Sequence, residues 1–121
     1  MKAITSQERQ SIMAKTNWKY HHIGIPTEKS ILGEHYLKDY KLYHYGFEES
    51  EFGIEWMRYE KECPLPELVK TKPHLAFEVD DLQEALKGRK ILIQPNTPSE
   101  GNRVAFIEED GLPIELIQIT E

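Results

Sequence analysis

From Trp18 onward, apolar and polar residues alternate with a period of two, in short runs separated by Pro, Gly and Asp. A half-buried β-strand produces that pattern, because successive side chains point to opposite faces of a sheet. The alternation predicts strands over 19–26, 40–47 and 52–59 in the first half, the first of them ended by Pro26. In the second half it predicts strands over 74–79, 91–94, 104–108 and 113–119, the last two joined as a hairpin across Glu109-Asp110-Gly111. Between the first two of these the period lengthens. Leu82, Ala85 and Leu86 make one apolar face, Asp81 and Glu84 have capping-box spacing, and Gly88 supplies a stop, so a helix is expected there. The second half thus reads strand, helix, strand, strand, strand, with a loop from Pro95 to Gly101. The first half fits the same order with about one turn of helix after Pro26. Cys63-Pro64-Leu65-Pro66 breaks the pattern and reads as the linker between the halves. Ahead of the first strand, Thr5 to Lys15 reads as a short helix with Thr5 and Glu8 as a capping box. Its stripe of Ile12 and Met13 is thin, so it needs the body or a second subunit to dock on.

The two halves carry the same polar interruptions. His22-Ile23-Gly24-Ile25 is echoed by His74-Leu75-Ala76-Phe77, and Ile54-Glu55-Trp56-Met57 by Ile114-Glu115-Leu116-Ile117. Strand parity sorts these side chains. Leu75, Phe77 and Val79 share an all-apolar face that should carry the helix, so His74 points with Ala76 into the concave side. The same test groups His22 with Gly24 and leaves His21 on the helix side. Glu115 falls with Ile117 and Ile119, and Glu55 with Met57 and Tyr59, opposite Trp56.

An unpaired carboxylate among isoleucines and leucines is costly to bury, and a cation would offset that cost. Imidazole and carboxylate together are a usual donor set for divalent transition metals. Taken singly, a strand histidine is ordinarily a hydrogen-bonded core residue. The duplication is what argues for His22, His74 and Glu115 as a ligand set. Glu55 shares its strand with Arg58 and Glu60, the mark of a more exposed position. His21, His35 and His44 read as surface or hydrogen-bonding residues, and the tyrosine-rich stretch from Tyr36 to Phe47 as strand packing.

Bulk properties narrow the function classes. A chain of 121 residues has room for one domain with a modest core. Its net charge of −6 argues against nucleic acid, whose phosphates need a clustered basic surface. The single cysteine, Cys63, excludes an intrachain disulfide and suits a reducing compartment. No apolar run approaches the length of a membrane span, and residues 1–10 lack the apolar core of a secretory signal, so a cytoplasmic protein without membrane contact is expected. Two half-sheets from so short a chain leave open strand edges, and a homodimer is expected to cover them.

The residues from Pro73 to Leu82, then Gly101-Asn102-Arg103-Val104-Ala105-Phe106-Ile107, then Asp110-Gly111-Leu112-Pro113-Ile114-Glu115-Leu116-Ile117-Gln118, resemble the second module of the vicinal oxygen chelate superfamily, also called the glyoxalase/bleomycin-resistance/dioxygenase superfamily. The first half is similar to it through Tyr20-His21-His22-Ile23-Gly24-Ile25-Pro26 and Gly53-Ile54-Glu55-Trp56, so the likeness covers about residues 18–119. It implies a single α+β domain over 1–121. Two βαβββ modules, 18–61 and 72–119, would form a curved mixed sheet around a metal-centred cavity, with the helix of residues 5–15 added. From His to Glu is 33 residues in the first module (22 to 55) and 41 in the second (74 to 115), so the first module is shortened. The resemblance makes His22, His74 and Glu115 ligands of one divalent ion, Zn, Ni, Co, Mn or Fe, with Glu55 a fourth ligand or a general base. Trp56, Met57, Tyr59, Arg103 and Phe106 are candidates to line the cavity and touch substrate. The implied activity is that of a metal-dependent lyase or isomerase acting on a small oxygen-chelating molecule. A non-haem Fe(II) ring-cleaving dioxygenase and a non-catalytic binding protein of the antibiotic-resistance type are the alternatives.

Overall fold

In the computed structural model, which describes residues 17–120 together with Ala3, Thr5 and Ser6, the alternating segments form one eight-stranded mixed sheet curled into a half-barrel. The strands are β1 (Lys19–Pro26), β2 (His35–Leu37), β3 (Leu42–Tyr45), β4 (Ile54–Tyr59), β5 (His74–Glu78), β6 (Lys90–Ser99), β7 (Asn102–Glu109) and β8 (Leu112–Ile119). Their order across the sheet is β2-β3-β4-β1-β5-β8-β7-β6. The same arrangement occurs twice. In each half the first strand lies parallel to the last, β1 to β4 and β5 to β8, and the remaining pairs are antiparallel meanders. The halves meet where β1 runs antiparallel to β5.

Several elements differ from the alternation's forecast. No helix forms over residues 27–34, which leave β1 and enter β2 as irregular chain and a turn. That stretch is too short to leave one strand, wind a packed helix and return to the sheet. The β2 strand itself was not foreseen, because three residues carry no readable period. Strand β6 runs on through Pro95 and Pro98, where a loop was expected, with three register shifts against β7. As an edge strand it pairs on one side only, so prolines cost it few ladder bonds. The segment after the predicted linker winds into a short helix, Glu67–Thr71, that sends the fully buried Val69 inward. The expected N-terminal helix falls on residues of which all but Thr5 and Ser6 lie outside the described part of the chain.

Other elements match the local chemistry. Asp81 caps the helix Leu82–Leu86 by accepting from the Glu84 backbone N–H at 3.2 Å. The β7–β8 turn uses Asp110 and Gly111, both at positive φ (49° and 83°), as a two-residue hairpin turn requires.

The sheet has two apolar faces. On the convex side Val79, Leu82, Leu86, Ala105, Ile107 and Leu116 form a cluster under the Leu82–Leu86 helix, with Trp18 and Phe77 against it. On the concave side Val69, Ala76, Val104, Phe106 and Ile117 form a second cluster, with Tyr59, Leu65 and Ile93 beside it. Among the described residues no helix is long and apolar enough to cross a membrane.

Candidate metal centre

The centre of the sheet sets four side chains in two rows. His22 on β1, Ala76 on β5 and Glu115 on β8 are mutual register partners, and so are Glu55 on β4, Gly24 on β1 and His74 on β5. Each row therefore has a small residue in the middle and polar groups on either side. The small residue is what the repeated His-apolar-small-apolar pattern encodes. A Cβ added at Gly24 would lie 2.1 Å from His74 Cε1, so the imidazole occupies the space that any side chain there would take.

The result is a tight convergence. Glu115 Oε1 lies 3.2 Å from His22 Nε2 and 3.2 Å from His74 Nε2, and one donor atom from each of the three residues falls within 4.8 Å of the others. Two donors bound at about 2.1 Å to one ion, with an angle of 90–109° between them, lie roughly 3.0–3.4 Å apart. The observed spacing fits that range. Both histidines are buried and the Glu115 side chain is 14% exposed. Neither Lys nor Arg pairs with Glu115 among the described residues. The donor set is two imidazole nitrogens and one carboxylate, and this group can hold a metal ion.

The electrostatics reflect the same crowding. Burial pushes the Glu115 carboxyl up, but the hydrogen bonds and charges of His22 and His74 outweigh it and hold it at about 2. Burial pushes His22 down, yet its hydrogen bond to Glu115 and the charges of Glu115 and Glu55 leave it raised above 6.5.

His21 is not on the helix side, contrary to strict parity. A register shift between Tyr20 and His22 in the β1–β5 pairing makes His21 a bulge residue, and a bulge re-aims one side chain. Its Nδ1 lies 2.7 Å from His22 Nδ1 while its ring stacks on Phe47, with centroids 5.1 Å apart and planes 7° apart. Burial and the neighbouring His22 lower its pKa. A neutral His21 accepting from His22 Nδ1–H leaves His22 Nε2 as the donor to an ion, the usual outer partnership of a metal-bound histidine. The second nitrogen of His74 is buried without a partner among the described residues.

Glu55 stands beside the centre, outside the set of three. Its Oε1 is 3.9 Å from His22 Nε2, and its Oε2 accepts from His44 Nδ1 at 2.9 Å. Met57, Tyr59 and Phe106 line a cavity of about 150 Å³ with the three candidate ligands. The Tyr59 hydroxyl is buried there without a partner, and burial together with the Glu115 charge raises its pKa, so it stays a proton donor. His44 and Glu55 also line a wider groove of about 670 Å³. Trp56, on the opposite face of β4 from Glu55, lines that groove and is 36% exposed. Arg103 is exposed and lines neither space. His44, read from the sequence as a surface or hydrogen-bonding residue, does hydrogen-bond, and its alternation with Leu42 on β3 puts it on the inner face, a placement the sequence reading did not draw.

Similarity to solved structures follows the same architecture. A hypothetical protein from Bacillus halodurans C-125 superposes with a TM-score of 0.67 at 20% identity, over 88% of this chain and 97% of its own. Methylmalonyl-CoA epimerase from Mycobacterium tuberculosis superposes with a TM-score of 0.61 at 17% identity, over 85% of this chain and 89% of its own. The chain has the vicinal oxygen chelate fold. At these identities the likeness carries the fold alone. No protein-family model matches the sequence, and the curated proteins contain no match to it.

Proposed function

We propose that the protein is a metal-dependent lyase or isomerase of glyoxalase-like type, which moves a proton on a small oxygen-chelating substrate. The observation that carries this reading is the convergence of His22, His74 and Glu115 on one point, with the free oxygen of Glu55 3.9 Å from His22. When bound there, a divalent ion supplies Lewis-acid stabilisation of negative charge on oxygen, with positions left open by a three-residue ligand set. Glu55 then takes up a proton from the substrate carbon, as a carboxylate outside the ligand set can do. The buried Tyr59 hydroxyl donates a hydrogen bond to a substrate oxygen, which meets its own need for a partner. Met57 and Phe106 supply apolar walls that keep bulk water from the exchanging proton.

The test is proton exchange. Metal-loaded protein is incubated in D2O with a panel of small hydroxycarbonyl compounds, and deuterium at the carbon beside the carbonyl is followed by NMR. Exchange with at least one compound is expected, suppressed about 10²–10⁴-fold in Glu55→Gln. Loss of exchange with retention of metal is the signature of a base. A second reading has one observation in its favour: two histidines and one carboxylate, without a fourth protein ligand, also describe the facial triad of non-haem Fe(II) oxygenases. Oxygen consumption by Fe(II)-loaded protein with catechol, and no proton exchange, would move the assignment there.

A further inference from the structure

Glu55 comes within reach of the metal centre yet is held by another residue. His44 pairs with Met57 across β3 and β4, on the inner face, and Glu55 lies two positions away on that face as its diagonal neighbour. The bond from His44 Nδ1 to Glu55 Oε2 at 2.9 Å is the one hydrogen bond of that carboxylate among the described residues. The exposed ring of His35, opposite His44 in the β2–β3 register, backs the His44 ring with centroids 5.3 Å apart. Glu55 Oε1 is left facing His22 from 3.9 Å, and the cluster of mutually close donors does not extend to it.

We infer that His44 is a positioning residue: it tethers Glu55 off the ion, so the carboxylate stays a free base and the ion keeps an open position. The inference rests on the metal centre proposed above. A carboxylate free to turn beside a cation is drawn onto it, since opposite charges attract strongly where water is scarce. Within this geometry the tether is what opposes that collapse. A histidine could instead support a carboxylate that is itself a ligand, as outer partners commonly do. The two roles predict opposite signs when His44 is removed.

Mn2+ provides the probe. Electron paramagnetic resonance of the free ion gives its affinity, and water-proton relaxation of the bound ion counts exchanging waters. His44→Ala is expected to bind Mn2+ roughly tenfold more tightly and to lose one exchanging water, as Glu55 joins the ion. His44→Asn, whose amide nitrogen stands close to where Nδ1 did, is expected to keep the wild-type water count, and His44→Ala with Glu55→Gln to restore it. Glu55→Gln alone gives a reading that needs no change at His44: its water count stays at the wild-type value. Weaker or unchanged binding in His44→Ala overturns the tether, as does an additional water in Glu55→Gln. Wild-type protein that takes up no Mn2+ would overturn the metal centre itself, which is a separate and visible result.

Discussion

At the scale of single residues, the chemistry is set by charges forced together. In the metal-free protein His22 and Glu115 stabilise one another, and the two shifts have opposite signs. Glu115 is lowered from 4.5 to about 2, so its contribution is present above the ordinary carboxylate range and is lost as pH falls toward about 2. His22 is raised above 6.5, so its contribution is complete below 6.5 and is lost as pH rises through the raised value. The pair therefore supports the metal-free fold best between about pH 4.5 and 6.5, its ordinary values, and less above. Metal binding runs the other way on the alkaline side, because the ion must displace the His22 proton. The gap in melting temperature between metal-loaded and metal-free protein is expected to widen from pH 6 to pH 8.5. A gap that stays constant over that range would mean that His22 does not compete with the ion.

At the scale of elements, a bulge in β1 decides which histidines serve the site. Perfect alternation turns His21 and His22 to opposite faces; the register shift after Tyr20 brings them edge to edge at 2.7 Å. His21 then fixes the ring of His22 instead of standing apart from the metal. His21→Ala is expected to weaken metal binding by about 10–100-fold while His74→Ala abolishes stoichiometric metal, both measured by titration against a chelating dye. Undiminished affinity in His21→Ala would return that residue to a packing role. The missing first-module helix is the other decision made at this scale. Parity assigned inner and outer faces correctly for β5, β8 and β4 because those strands are unbroken. It failed at His21 because a bulge depends on the partner strand and leaves no mark in the local pattern.

At the scale of the molecule, no helix among the described residues covers the convex side of the first half. Ile23 and Ile25 are half-buried, while Trp56 and Leu75 are 36% and 39% exposed on the outer face of adjoining strands. Among the described residues, the edges β2 and β6 are unpaired on their outer sides. A dimer is expected in sedimentation equilibrium at micromolar concentration, with Leu75→Glu shifted toward monomer and its metal uptake intact. Wild-type protein that sediments as a monomer would remove this expectation.

The sequence by itself determined the period of the strands, the hairpin at Asp110-Gly111, the capped helix at Leu82–Leu86 and the duplicated histidines and glutamates. The first three are written in residues within a turn or two of one another, where propensity and parity act directly, and the duplication is legible by comparing the two halves. What only the tertiary structure decided involves partners far apart in the chain. The two rows across β4, β1, β5 and β8 bring three donors to one point, and the space above Gly24 admits the His74 ring. The bulge at His21 and the diagonal contact of His44 with Glu55 likewise follow from pairing between strands. Register between strands is fixed by long-range packing, and a shift of one residue turns every side chain to the other face. That is why the candidate ligands could be named from the chain, while the residues that position them could not.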